Sequence, residues 1–361
     1  MGKPHGIGIV GLGVISAQYL DTLVGLDTVR IVAAADLDPA RARAIAGRVP
    51  GCRALSVDEL VADPEVQTVL NLTVPAAHAS VALAALAAGK NVYGEKPLAA
   101  TLAEALEVVA AAGGAWVGGA PDTVLGTGVQ TARAVVDAGE IGRPVSATAT
   151  WVAPGHEAWH PNPDFYYLAG GGPLFDMGPY YLTTLFHLLG PVVRVSGVSS
   201  RPRDGRIIAT GPRAGERIPV EVDTHVTSVL EHVGGAVSTV TFSFDAVTTT
   251  AAPLEVHGES GSLTVPDPNM FDGEVRVRRS RSDEGAVIEP RAGYEQAGRG
   301  IGLIDFVAGH GRAGGDVALH VLEIMTALTE SAREGRRIDL ATTAERPSLA
   351  PLTTRTAWRA S

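Results

Sequence analysis

The stretch Gly6-Ile7-Gly8-Ile9-Val10-Gly11-Leu12-Gly13-Val14-Ile15-Ser16 decides the fold class. Gly6 to Val10 reads as a short buried strand, and a helical pattern runs from the glycines to about Leu23. Gly11 permits a tight turn between them. Gly13 lets the backbone approach a pyrophosphate seated on the helix N-terminus, a contact that also draws in Val14 and Ile15. Ser16 stands where a third glycine is usual, and it is still small enough for close helix–sheet packing. A second apolar strand, Val29 to Ala35, ends at Asp36, the acid that this fingerprint places about twenty residues on. Its carboxylate can accept hydrogen bonds from an adenosine ribose and would repel a 2′-phosphate, as would Asp38. NAD is therefore favoured over NADP, while Arg41 and Arg43 keep NADP open.

Outward from this motif, strands and helices alternate. A helix from Pro39 to about Val49 is followed by a strand from Val66 to Val74. An alanine-rich helix from Ala77 to Ala88 stops at Gly89. Asn91 to Tyr93 is a strand, Thr101 to Ala112 a helix with Thr101 and Glu104 as a capping box, and Ala115 to Gly118 a last strand. Continuous apolar strands between helices imply a parallel sheet covered on both faces, a doubly wound Rossmann domain over residues 1–121. Beyond it lies a helix from Val129 to Ala138, then segments of period two: Thr224 to Glu231, Ala236 to Phe244, Leu254 to Val256, Ser262 to Val265 and Glu274 to Arg279. With a helix from about Val317 to Arg333 and an extended tail, residues 122–361 read as an α+β domain with a large, mainly antiparallel open sheet. The whole chain is α/β.

A formal net charge of −10 and the lack of a Lys/Arg block argue against nucleic-acid binding. The single cysteine, Cys52, rules out an intrachain disulfide and fits a reducing compartment. No leader pattern is visible at the N-terminus. The most apolar long stretch, Leu72 to Gly89, carries Pro75 and His78 and is too weak for a membrane span. The expectation is a cytoplasmic protein that binds neither membrane nor metal.

Gly94-Glu95-Lys96-Pro97 follows the fifth strand, at the end of the sheet where ligands of parallel sheets bind. A lysine there can hold or give a proton at an alcohol or carbonyl oxygen; it also fits a turn at the surface. Together with the fingerprint, this motif resembles the glucose–fructose oxidoreductase/inositol dehydrogenase (Gfo/Idh/MocA) family. Three more stretches are similar to that family's: Asn71-Leu72-Thr73-Val74-Pro75-Ala76-Ala77-His78, Gly170-Gly171-Gly172-Pro173-Leu174-Phe175-Asp176-Met177-Gly178 and His257-Gly258-Glu259-Ser260-Gly261-Ser262-Leu263. The resemblance implies hydride transfer between NAD(P) and a secondary alcohol or ketone of a sugar, glycoside or cyclitol. It implies cofactor contacts at Thr73, Pro75, His78, Glu95 and Lys96, and a homodimer or homotetramer built on the open sheet. Two further readings stay open: redox-assisted glycosidase or epimerase chemistry with retained NAD, and a non-enzymatic dinucleotide sensor.

One departure matters. The family's histidine after the second signature glycine is Tyr180 here, and the acid that often follows is Thr183, as in a subgroup where tyrosine takes the histidine's place. A phenol near an ammonium can act as general acid/base, so Lys96 and Tyr180 are read as the proton-handling pair, with Asp176 orienting a substrate hydroxyl. Asp176 also fits a helix cap and Tyr180 a core ring. Pro179 suits the first turn of a helix running to Leu189. His156-Glu157-Ala158-Trp159-His160 matches the zinc pattern H-E-x-x-H, but the flanking prolines leave no room for the helix it needs. The segment reads instead as a substrate loop offering Trp159, His160 and Tyr166, with Asn162 and Tyr167. Asp122, after the sixth strand, is a further candidate for a substrate hydroxyl.

Overall fold

The structure is a computed structural model describing residues 3–360. In chain order the first half comprises β1 (His5–Val10), α1 (Ser16–Leu23), β2 (Val29–Ala35), α2 (Pro39–Ala46), β3 (Arg53–Ala54), α3 (Val57–Ala62), β4 (Thr68–Asn71), α4 (Pro75–Ala87), β5 (Asn91–Gly94), α5 (Leu102–Ala111), β6 (Val117–Gly119), α6 (Thr127–Asp137), β7 (Pro144–Val152) and α7 (Pro173–Leu189). The second half adds β8 (Val192–Ser200), β9 (Gly205–Ile207), β10 (Arg217–Pro219), β11 (His225–His232), β12 (Val237–Ser243), β13 (Leu254–Gly258), β14 (Gly261–Val265), β15 (Val275–Arg278) and β16 (Ala286–Ile288). The chain finishes with α8 (Ile301–Val307), α9 (Gly315–Glu334), β17 (Ile338–Asp339) and α10 (Arg355–Ala360). No helix among the described residues is long and apolar enough to cross a membrane.

The chain divides into two compact units. The first holds Met1–Gln130, Pro290–Leu322 and Pro347–Ser361. Its six-stranded sheet has the order β3-β2-β1-β4-β5-β6, all parallel. The strand order reverses between β1 and β4, so the crevice beyond their carboxyl ends is the ligand position that this topology dictates. The strands are short and buried on both faces, as their apolar runs require: Ile7 and Ile9, Ala33 to Ala35, Val69 and Leu70 are all fully covered.

The second unit holds Thr131–Glu289 and Glu323–Arg346. Its nine-stranded sheet runs β16-β15-β14-β13-β7-β12-β11-β8-β17, antiparallel except for the β12–β7 pair. Helix α7 packs on β7, β11 and β12. On β8, Gly197 N–H donates to the Ser331 hydroxyl of α9 at 2.9 Å. The opposite face shows Val198, Val229 and Val237 to solvent. A separate hairpin, β9–β10, covers a small core of Tyr167, Ile208, Ile218, Val220 and Phe244.

The division differs from a single boundary at residue 122. Late segments return to the first unit because it offers unpaired backbone there: Gly118 bridges Gly314, Gly126 bridges Tyr294, and Tyr294 bridges Thr353. The tail is therefore tied down, and it ends in α10 rather than running extended. Helix α7 also begins earlier than its proline suggests. Pro173 takes the first-turn position, and Pro179 lies inside the helix. Nearly every residue of α7 is buried, so packing outweighs the local cost of an interior proline.

His187, on the buried side of α7, has its pKa pushed down to about 3 by burial, with the Arg133 and Arg346 guanidinium groups adding to the effect. The unfolded chain binds a proton there below about pH 6.5 and the folded chain does not, so stability rises with pH across the window from about 3 to about 6.5. The melting temperature of the wild type should fall more steeply than that of His187→Leu as pH is lowered from 6.5 to 4. Parallel profiles would contradict this assignment.

Candidate functional site

Two clusters of the expected residues form, one in each unit. In the first unit, β1 ends in a turn whose Gly11 has φ +90°. A Cβ on Gly11 would sit 2.7 Å from the Leu72 carbonyl and the Thr73 nitrogen, so backbone from β1 and from the end of β4 touch at the switch point. At Gly13 an added Cβ would meet nothing of the chain, which leaves an open approach to the backbone. Ser16 is buried and turns its hydroxyl onto the Gly13 carbonyl at 2.7 Å, closing the turn that a third glycine would otherwise make. Asp36 is fixed at both oxygens: Oδ2 accepts the Leu12 N–H at 2.7 Å and Oδ1 the Asp38 N–H at 2.8 Å. A cavity of about 430 Å³ lies here, lined among others by Gly11, Gly13, Asp36, Arg41, Thr73 and Val74. Its helix start, its open glycine and its anchored carboxylate fit a dinucleotide's pyrophosphate and adenosine ribose. Val14 is almost fully exposed, Ile15 caps α1, and Pro75 opens α4 beside the cavity.

The loop after β5 is braced from several sides. Tyr19 donates to Glu95 Oε1 at 2.8 Å, the Lys96 N–H donates to Glu95 Oε2 at 3.0 Å, and the Glu95 N–H donates to Asn71 O at 2.9 Å. Burial and the neighbouring Glu95 carboxylate hold the Tyr19 phenol well above its ordinary pKa, so it stays a donor. His78 spans two loops, with Nδ1 2.6 Å from Pro97 O and Nε2 3.0 Å from Thr73 O. Glu95 and His78 are thus struts of the loop that carries Lys96. Asp122 is a correction. It is fully buried, and its Oδ2 accepts the N–H groups of Gly300 and Gly302 at 2.8 and 3.1 Å. It caps the start of α8, closing a bond to residues far along the chain, and has no exposed surface.

In the second unit the segment 153–172 connects β7 to α7 as irregular backbone with one-turn helices at His156–Ala158 and Asp164–Tyr166. The H-E-x-x-H residues do not share a helix face. His156 Nε2 lies 2.7 Å from Asp176 Oδ2, and His160 Nδ1 accepts the Asn162 N–H at 3.0 Å. Burial lowers the His160 pKa. Glu157 is buried and bonds the Tyr167 hydroxyl, and its Oε1 lies 2.9 Å from Arg206 Nη1, while Arg206 Nη2 lies 2.5 Å from Asp245. Arg206 is thus a buried cation between two carboxylates, and it ties the loop to β9. Arg213 adds a two-pronged bond to Asp164 at 2.6 and 3.0 Å. On this base Trp159 is more than half exposed, and Tyr166 is half-buried against His156, with ring centroids 4.1 Å apart. Asp176 and Tyr180 lie one turn apart on α7 and share a face; Tyr180 is 7 % exposed. The residue the sequence reading passed over is His156. The zinc-like pattern drew attention to it, but its true partner lies twenty residues on and is a tertiary contact.

Residues 5–115 match the family described as oxidoreductase family, NAD-binding Rossmann fold, and residues 129–264 match the GFO/IDH/MocA C-terminal domain. The chain is 31% identical to 1,5-anhydro-D-fructose reductase of Ensifer adhaerens over 80% of its own length and 84% of that protein. It is 29% identical to inositol 2-dehydrogenase 3 of Saccharopolyspora erythraea, covering 73% of each. Among solved structures, an NAD-binding oxidoreductase from Klebsiella pneumoniae shares the fold with a TM-score of 0.80 at 23% identity, over 94% of this chain and all of that one.

Replacing Arg206 by Met should strand the Glu157 and Asp245 carboxylates in the interior and destabilise the protein by about 3–5 kcal/mol. Chemical denaturation measures this; a loss under 1 kcal/mol would mean that the charges are solvated.

Proposed function

Because this chain belongs to the GFO/IDH/MocA oxidoreductase family, we propose that it transfers hydride between NAD and a secondary alcohol or ketone of a sugar, glycoside or cyclitol, with Lys96 and Tyr180 moving the hydroxyl proton. The observation that carries the reading is the bracing of one lysine: Tyr19, Glu95 and His78 all act on the loop that presents Lys96. Nicotinamide, when bound, supplies the hydride acceptor or donor at its C4. Lys96 holds the substrate oxygen and takes or returns its proton. Tyr180 shares that proton, and Asp176 accepts a neighbouring substrate hydroxyl, so that the carbinol carbon is held in one orientation.

The first unit binds the dinucleotide through Gly11, Gly13, Val14, Ile15, Thr73 and Pro75, with the ribose on Asp36. The anchored Asp36 carboxylate supports NAD over NADP, since its negative charge is held at the cavity and would repel a 2′-phosphate. Arg41 lines the same cavity and lies 3.8 Å from Asp38. The second unit presents the substrate groups. The exposed valines on its open sheet face support pairing of copies into a dimer or tetramer.

A panel of sugars and cyclitols, followed at the reduced-nicotinamide absorbance band with both cofactors, tests the reading. Lys96→Met should lower kcat at least about 100-fold, a far larger effect than any on NADH affinity. Asp36→Ala should reduce the preference for NAD over NADP by about 10- to 100-fold. Full activity in Lys96→Met would exclude the proposed proton transfer. The chain has only three lysines, Lys3, Lys90 and Lys96. Amine-directed labelling therefore reports on Lys96 against two controls, and bound NADH should protect it.

A further inference from the structure

His156 stands between two groups that the proposed function uses separately. The Trp159 indole N–H is a donor only, and it points at His156 Nδ1 from 3.1 Å. Nδ1 must therefore be the unprotonated nitrogen, which places the ring proton on Nε2. That nitrogen is 2.7 Å from Asp176 Oδ2, so the bond runs from imidazole to carboxylate. A chain of two hydrogen bonds, indole to imidazole to carboxylate, is thereby given one direction.

The imidazole itself is buried among rings. It is 7 % exposed and enclosed by Trp151, Tyr166 and Phe244, with ring centroids at 6.0, 4.1 and 4.7 Å. Its own backbone N–H is held by the Tyr167 hydroxyl at 3.1 Å. Trp159 meets it edge-on at 76°, and the indole stays 58% exposed. Asp176 is kept as an acceptor, one helical turn before Tyr180. Both substrate-facing groups are thus set by one buried ring, an apolar plane on one side and an anionic acceptor on the other.

We propose that His156 is a positioning residue that holds the Trp159 ring and the Asp176 carboxylate in a fixed relation, and that this relation selects ring-closed polyols over open-chain ones. A pyranose or cyclitol carries a rigid C–H face and hydroxyls at set angles to it, so it can lie on the indole and donate to the carboxylate at once. An open-chain hexitol must freeze several torsions to do the same. The inference rests on the reading of Asp176 and Tyr180 as substrate groups.

The test compares wild type, His156→Phe, His156→Gln and Trp159→Ala on inositols, methyl pyranosides and hexitols, with NADH affinity measured by fluorescence for each. Phenylalanine fills the aromatic cage but makes neither hydrogen bond; glutamine has both a donor and an acceptor. Wild type should favour ring-closed substrates by at least about tenfold in kcat/KM. His156→Phe should lose about 10- to 100-fold in kcat/KM, with both kcat and KM affected, at unchanged NADH affinity. Trp159→Ala should act mainly on KM. His156→Gln should recover most of kcat. The proposal is overturned if His156→Phe stays within threefold of wild type, if His156→Gln is as poor as His156→Phe, or if hexitols are the better substrates. Wild type that binds NADH but turns over none of these polyols defeats the functional reading itself, and the proposal with it.

Discussion

The contact between Gly11 and the backbone of Leu72 and Thr73 sets the terms for the first unit. At φ +90°, with a neighbouring carbonyl 2.7 Å from where a Cβ would be, only glycine is possible. That contact brings the ends of β1 and β4 together, and these are the two strands where the sheet order reverses. The crevice, the start of α1 and the anchored Asp36 all follow from it. A side chain at this position would push the strands apart and move the cavity walls before any ligand arrived.

The same economy of backbone and charge recurs at each group to which the proposed function gives a role. Asp36 is oriented by two main-chain N–H groups, and the Lys96 loop is braced by a phenol, a carboxylate and an imidazole. The aromatic loop of the second unit is fastened by a buried guanidinium between Glu157 and Asp245. None of these bracing groups needs to touch a substrate. In the proposed function their contribution would be to remove freedom from the groups that do, which is where positioning energy in catalysis comes from.

Local pattern carried most of the first unit, although β3, α8 and α3, the last with its own capping box at Ser56 and Glu59, went unread. Short apolar runs, a capping box at Thr101 and glycine stops are consequences of near-neighbour physics, and the structure has them within a few residues. Features set by distant packing were not legible. β8 is Val-Val-Arg-Val-Ser-Gly-Val-Ser-Ser, whose valines keep no strict alternation and are interrupted by a glycine, and β11 pairs along it. β9 and β10 are three residues each. Pro179 misled because the penalty for an interior proline is local, whereas α7 is held by burial along its length. Asp122 was placed correctly at the end of the sheet, but its partners, Gly300 and Gly302, lie some 180 residues away. His156 was hidden for the same reason: no spacing rule links it to Asp176.

Hydride transfer from a ring carbon to nicotinamide is the central claim, and following the hydrogen itself is its most direct measure. A ring-closed polyol substrate carrying deuterium on its carbinol carbons, incubated with the enzyme and NAD in ordinary water, should yield reduced cofactor with one deuterium at C4. Reduced cofactor without that label, or a polyol that is transformed while the cofactor stays oxidised and unlabelled, would contradict the account.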